Sequence, residues 1–484
     1  MEQTQTQTLN NVKLPLKEKI GYGCGTACDT IPYAMFGTYF LFFLTDVAGL
    51  PAGVGGTITF LAILSQIIAG PVAGYLSDNS LNPKGRRRPM MIKTGIVFAI
   101  VTALLFTPIG GSMGFKIAYY TVFAIAFIVC YGVYFNVWTA LGAEMTHDYD
   151  ERNSIRSIVA YTAIPLELLS TGGVIGIVGF FGARGATVGK SWLFAAVAMA
   201  IVMAAGALIC HRSSEETPPV YTEEEKAVIK ARRFNAKELI MDYVSFFKIK
   251  VFRRLVLFSL LFATGFIMMN DGVVYTMSSY LGLNEARQSL FWTIHTILGI
   301  IAIPIVFGLA NKWDKRKAMI VFIASYVVCS LIWFVIGMVG TVGFVSYNIF
   351  AGVLCLGTVA FYGLLYSLMY DCTDVYTLAT GEQKEGSMLA LQGLAQTMGA
   401  AIASLLLGWG LQLIGYTDAA SVTDFTAKGI WALGTIVPAI LAIIAMIFLV
   451  RYNLTRTDFE NVRQAIEDQK EGKEIDMSRF DHLI

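Results

Sequence analysis

The chain has 484 residues, of which 56% are hydrophobic and only 14% charged, and its formal net charge is +2. Its mean hydropathy is +0.62. A soluble globular domain carries about 25% charge, so this composition argues against a soluble enzyme and for a multi-pass membrane protein. The small net charge says little about partners, and beyond the lipid bilayer no nucleic-acid partner is expected.

From the N-terminus, Met1 to Asn11 is polar and rich in Gln and Thr, with no cleavable apolar stretch. Residues 1–20 are therefore expected to form a cytoplasmic leader. Apolar segments then recur at about 24–48, 54–77, 89–109, 118–145, 155–180 and 191–210. After a polar interval they recur at about 254–281, 287–310, 318–339, 343–374, 386–414 and 428–452. In lipid each span must close its own backbone hydrogen bonds, so twelve transmembrane helices are predicted. The second is typical: Thr57 to Leu76 has no charged residue and is long enough to cross a hydrocarbon core of roughly 30 Å.

The turn that follows, Asp78 to Pro89, brings Lys84, Arg86, Arg87 and Arg88 together, and such a cluster favours the cytoplasmic side. With an even number of spans both termini share that side. Of the 36 Lys and Arg residues, only Lys116, Arg184, Lys190, Arg287 and Lys428 then fall in opposite loops, and Lys93 lies inside a span. The expected topology is a cell-membrane protein with both termini cytoplasmic. A six-helix bundle at 21–210, a cytoplasmic linker at 211–253, a second bundle at 254–452 and a cytoplasmic tail at 453–484 complete the division. The linker carries Glu223 to Lys226, Arg232-Arg233 and Arg253, and is expected to hold an amphipathic helix along the inner face. A weak internal repeat supports two halves: the Lys84 to Arg88 cluster has a counterpart in Lys312-Trp-Asp-Lys-Arg-Lys317. The seven cysteines form no metal-type cluster and read as reduced packing residues.

A carboxylate inside a span is costly unless it meets a partner or a wet cavity, which makes each one a functional candidate. Asp29 follows the glycine-rich run Gly21-Tyr-Gly-Cys-Gly25 and precedes Pro32; it is a candidate for binding solute or cation, the alternative being a structural Asp at a helix break. Asp271, beside Asn270 and Gly272 in span seven, is a second candidate for cation coupling. Asp371 and Asp374 share a helix face toward the end of span ten. They oppose the helix dipole and need local cations, so they are read with Arg86 and Arg87 as a gating ion-pair network. Tyr134 and Trp138 share a face in span four, and sugar faces stack on such rings. His295 in span eight reads as a packing histidine. No Gly-Lys-Ser phosphate loop, His-Glu-x-x-His or Cys-x-x-Cys occurs, so neither enzyme activity nor a bound cofactor or metal is expected. Transport would then run on gradients.

Several further pieces extend along the chain: Tyr22-Gly23 with Gly25 and Asp29; Thr45-Asp46-Val47; Gly70-Pro71; Lys84-Gly-Arg-Arg-Arg-Pro89; Trp138; Glu151-Arg152; Asp374-Val-Tyr376; and Glu385-Gly386. In order and spacing the chain resembles the glycoside-pentoside-hexuronide:cation symporters, typified by the melibiose carrier, within the major facilitator superfamily. That resemblance implies the major facilitator fold: two six-helix halves, all α-helical, moving solute by alternating access. It also implies that Asp29 binds sugar hydroxyls, that Trp138 and Tyr362 shape the sugar pocket, and that Gln396 and Thr397 lie near the sugar. The departures are equally informative. Gln66 and Gly70 stand where the family has two cation-binding Asp residues, Tyr134 replaces a sugar-binding Asp, and Cys28 and Ala401 each replace a Lys. The expected function is secondary active symport of a glycoside, oligosaccharide or sugar acid, with the proton as the expected coupling cation. Alternatives are a carrier of another amphiphile such as a lysolipid, or a membrane sensor that transports nothing.

Overall fold

In the computed structural model, residues 14–78, 85, 87–146, 149–214, 241, 243–340, 342–471, 473 and 475–484 are described. The amphipathic helix expected in the 211–253 linker falls largely outside them, as do Lys84 and Arg86 of the basic turn. Every regular element among the described residues is helical.

Eleven of these helices are long and apolar enough to cross a membrane. They are built on α3 (Ala52–Asp78), α4 (Arg88–Leu105), α5 (Met113–Glu144), α6 (Tyr149–Leu168) with α7 (Val174–Gly182), α8 (Val188–Ser213), α9 (Lys250–Tyr275), α10 (Glu285–Trp313), α11 (Lys315–Val339), α12 (Phe344–Thr380), α13 (Glu385–Leu413) and α14 (Asp424–Val450). Apolar residues on them, including Ile96, Ile100, Ile201, Ile300, Val335 and Val345, are exposed. Exposed apolar side chains of this kind suit hydrocarbon as solvent.

The first predicted span is built differently. It comprises α1 (Leu16–Cys24), α2 (Ala27–Met35) and π-helical turns at Phe36–Phe40 and Phe43–Val47. At the junction of α1 and α2, Gly25 N–H and Thr26 N–H bond to the carbonyls three residues back, Tyr22 and Gly23, each at 3.0 Å. Gly25 is required there because a Cβ would lie 2.5 Å from Trp138 Nε1. From the other side, Gly206 of α8 lets the Cys24 carbonyl approach; a Cβ there would lie 2.5 Å from that oxygen.

The described chain divides into two compact units. The first contains residues up to Phe234 together with Leu283–Thr293 and Tyr416–Ser421; the second contains Asn235–Gly282, Ile294–Gly415 and Val422–Ile484. Within the first, α3 packs on α5 and α4 on α5 and α8, while α1 lies against α6 and α8. A buried ion pair fixes α1 to α6: Lys19 Nζ lies 2.7 Å from Glu151 Oε2 and donates to Ser154 Oγ at 3.0 Å. Within the second unit α9 is central, packed against α13 and α14.

The tail after α14 is folded onto the second unit. Helix α15 (Arg456–Lys470) lies against α12, burying Val462 and Ala465. Beyond it, Phe480 and Leu483 are buried, and the Ile484 and Leu483 carbonyls accept from the N–H groups of Lys250 and Val251, both at 3.1 Å. Helix α9 begins with donors that no intrahelical carbonyl can satisfy, and the tail supplies the acceptors.

Candidate functional site

The broken first span exposes backbone acceptors, and side chains of the neighbouring helices take them. Trp138 Nε1 of α5 donates to the Tyr22 carbonyl at 3.3 Å, Thr162 Oγ1 of α6 to the Gly23 carbonyl at 3.1 Å, and Tyr134 OH of α5 to the Gly25 carbonyl at 2.9 Å. In return, Tyr22 OH donates to the Trp138 carbonyl at 3.0 Å, and the two rings stack with centroids 5.3 Å apart. Polar backbone inside a membrane is tolerated only when satisfied in this way. Tyr134 and Trp138 are fully buried here, their polar atoms committed to the backbone of the first span. The sequence offers them as rings on which a sugar face could stack; in this structure their polar atoms brace the break that leads to another candidate residue.

That residue is Asp29, one turn beyond the break. It is half-buried, and its Oδ1 accepts from Tyr131 OH of α5 at 3.1 Å. The Tyr131 ring lies beside Tyr33, centroids 6.3 Å apart, and stacks on Phe135 at 6.0 Å. Tyr33 is 59% exposed and Phe135 also shows an exposed edge. One half-open carboxylate among aromatic faces can accept hydrogen bonds from hydroxyls while the rings cover apolar faces of a solute.

A second carboxylate, Glu167 of α6, lies within electrostatic reach of Asp29. Pro165 lies inside the helix two residues before it, and a π-helical turn at Leu169–Gly173 follows. The turn is stitched down at Glu167 itself, whose carbonyl accepts from Ser170 Oγ at 2.9 Å and Thr171 Oγ1 at 2.8 Å. Tyr39 OH of the first span then donates to the Thr171 carbonyl at 2.6 Å. Such wide turns often mark functional positions, because they re-aim a side chain without ending the helix. Glu167 was absent from the sequence candidates, although a carboxylate in the span 155–180 is itself the signal. Asp46 was missed as a polar site in the same way. Its Oδ1 accepts from Tyr416 OH and the Ala419 N–H, both at 2.8 Å, and its Oδ2 from Thr45 Oγ1 at 2.6 Å.

The remaining candidates stand on other elements. Gln66 is half-buried on α3. Arg87 Nε donates to Glu144 Oε1 at 2.8 Å, and Lys315 Nζ lies 2.9 Å from Asp371 Oδ2. Asp374 is within electrostatic reach of Arg463 on α15. Tyr362 is partly exposed on α12 and meets Phe266 edge-on, with Tyr366 and Tyr370 continuing the same face at i+4 and i+8. On α13, Thr397 Oγ1 donates to the Gly393 carbonyl and Gln396 Nε2 is buried without a hydrogen-bond partner. Asp271 on α9 is buried, and its Oδ2 accepts from Ser404 Oγ of α13 at 3.1 Å. His295 packs with Nδ1 3.4 Å from Cys355 Sγ. Among the described residues no group of three or more His, Cys, Asp or Glu could hold a metal ion.

With the geometry in place, comparison with known proteins identifies the fold and family. An uncharacterized symporter, YnaJ, of Bacillus subtilis is 25% identical over 481 residues, spanning 95% of this chain and 96% of that protein. An isoprimeverose transporter of Lactiplantibacillus pentosus is 22% identical, spanning 83% of this chain and 81% of that protein. The solved xylose transporter XylE of E. coli, at 14% identity, superposes with a TM-score of 0.59 over 93% of this chain and 97% of that one, which establishes the shared fold. The family model for MFS/sugar transport proteins matches residues 21–456. The chain is thus a multi-pass membrane protein of major facilitator fold and belongs to the MFS/sugar transport protein family.

Proposed function

We propose that this protein is a cation-coupled symporter for a glycoside, oligosaccharide or sugar acid, working by alternating access, with Asp29 as the principal solute-binding group. The observation that carries this reading is the half-open Asp29 carboxylate, held by Tyr131 one turn beyond a break that Trp138, Tyr134 and Thr162 brace. Hydroxyl donors are what such a carboxylate accepts best, and charge-assisted hydrogen bonds are the strong ones. Family membership and an isoprimeverose-carrying relative support a sugar over a lysolipid. A lysolipid would call for a long apolar trough, whereas Asp29 and Glu167 would both be costly beside an acyl chain. In this reading Tyr134 and Trp138 act through position and Glu167 joins Asp29 in the site. Tyr362, Gln396 and Thr397 are the solute-facing groups of the second unit. Lys315–Asp371 and Arg87–Glu144 are ion pairs that form and break during the cycle. Both termini face the cytoplasm.

The direct test is counterflow in proteoliposomes, in which vesicles loaded with unlabelled isoprimeverose are offered the labelled sugar. The wild-type protein is expected to concentrate label transiently and Asp29→Asn to do so far more slowly at equal protein density. Equal rates for the two would remove Asp29 from the site.

A further inference from the structure

The second unit holds a polar seam between α9 and α13 that solute binding does not explain. The two helices run in register, since both side-chain hydrogen bonds that join them have the same separation in sequence, 133 residues. At one position Gln392 Nε2 donates to Ser259 Oγ, and twelve residues further along each helix Ser404 Oγ donates to Asp271 Oδ2. Between the two bonds Gly399 brings the backbones together; a Cβ there would lie 2.9 Å from the Leu260 carbonyl oxygen.

Asp271 differs from the other carboxylates of the helices. It is only 5% exposed, and its Oδ1 has no hydrogen-bond partner among the described residues. The elements packed against α9 are α12, α13, α14 and the π-helical turn Thr276–Tyr280. Their charged groups are Asp371, Asp374, Glu385, Asp424 and Lys428, and α9 itself carries Lys250, Arg253 and Arg254. All of these stand toward helix ends, and among the described residues the hydrogen bond to Asp271 comes from Ser404. Tyr275 on α9 and Tyr347 on α12 are buried phenols of these elements, and Asp271 Oδ1 accepts from neither. A merely structural partner for Ser404 needs one acceptor, which asparagine or threonine supplies without a buried ionisable group. A carboxyl supplies something more: two forms, charged and neutral, whose costs in an apolar site differ greatly. One carboxyl and one hydroxyl are also too few oxygens for a metal cation, which takes about six. A proton needs only the one oxygen that Asp271 leaves unpaired.

We infer that Asp271, oriented by Ser404 at the α9–α13 contact, is the binding site of the coupling proton. The step is a reversible protonation: the proton enters on Oδ1 from one aqueous side, converting carboxylate to carboxylic acid, and leaves to the other after the carrier has changed state. Ser404 keeps its donor role to Oδ2 throughout and is a positioning residue. This assignment rests on the symporter reading, and it answers the loss of the paired carboxylates at Gln66 and Gly70 by moving the cation to the other unit.

Two measurements on the full chain in liposomes test it. The first needs no solute: infrared titration of the carboxylic C=O stretch is expected to show a band, titrating with pH, that Asp271→Asn removes and Ser404→Ala shifts in midpoint. The second uses labelled isoprimeverose under an imposed pH gradient. Wild type is expected to accumulate it, whereas Asp271→Asn should bring it only to the equilibrium level while still exchanging labelled for unlabelled sugar. An infrared spectrum identical in wild type and Asp271→Asn, or undiminished accumulation by the variant, overturns the inference. Failure of wild type to carry isoprimeverose would count against the solute reading alone, since the infrared titration decides Asp271 without it.

Discussion

At Asp29 a single half-buried carboxylate takes a hydroxyl from Tyr131 on Oδ1. Asparagine keeps the shape and one acceptor oxygen but loses the charge. A hydrogen bond to a charged group is worth about 1.5–3 kcal/mol, so Asp29→Asn is expected to weaken solute binding by roughly 10- to 100-fold. Concentration dependence of uptake, with surface expression checked in parallel, measures this. Tyr131→Phe removes one neutral donor and is expected to cost less, about 1 kcal/mol, a roughly fivefold effect. Asp29 stands out in the sequence because a charge beside three glycines inside an apolar span is costly without a partner or a wet cavity. Glu167 was not singled out. It follows Pro165 and precedes Ser170-Thr-Gly-Gly173, residues that speak against a continuous helix, yet the π-helical turn keeps it inside the span. Tyr134 and Trp138 were legible as a shared aromatic face, but where their polar atoms point depends on the carbonyls freed at Gly25, a tertiary consequence no local pattern contains.

The helices themselves were readable from hydropathy, and for a physical reason: lipid leaves an unsatisfied backbone no alternative to the helix. What hydropathy does not encode is how a span is interrupted. The glycine run and Pro32 announced irregularity in the first span, but the division into α1, α2 and two π-helical turns depends on contacts with α5, α6 and α8. Gly25→Val is therefore expected to destabilise the protein by about 1–3 kcal/mol through overpacking against Trp138 and Cys210. A lowered thermal unfolding midpoint in detergent, beside a wild-type control, is the corresponding observation. The tail offers an element-scale test in the second unit. Leu483→Ala is expected to cost about 2 kcal/mol of local stability by emptying a buried site. Hydrogen exchange at the amides of Lys250 and Val251, whose acceptors are the Ile484 and Leu483 carbonyls, should then accelerate by roughly 30-fold while exchange in the middle of α9 stays slow. Unchanged protection at those two amides would show that the tail does not hold the start of the helix.

For the whole molecule, the family fold makes it a multi-pass carrier, and the distribution of Lys and Arg along the sequence predicts that most of them face the cytoplasm. Reporter fusions at Ile484 and in the loop near Gly110 are expected to report opposite sides. The same side for both would break the twelve-span topology. Fold and transport class were legible because they follow from spans, charges and motif order along the whole chain. The identity of the driving ion was not, since Gln66 and Gly70 say only that two carboxylates expected from the family resemblance are missing there. The central claim is that a gradient drives a sugar-like solute through this protein with the proton as coupling ion. Proteoliposomes containing the purified chain and offered labelled isoprimeverose measure it most directly, with a pH gradient or a sodium gradient imposed in separate vesicles at zero membrane potential. Accumulation above equilibrium under the pH gradient alone is the predicted result. Accumulation driven by the sodium gradient at equal pH, or none under either, would contradict the account.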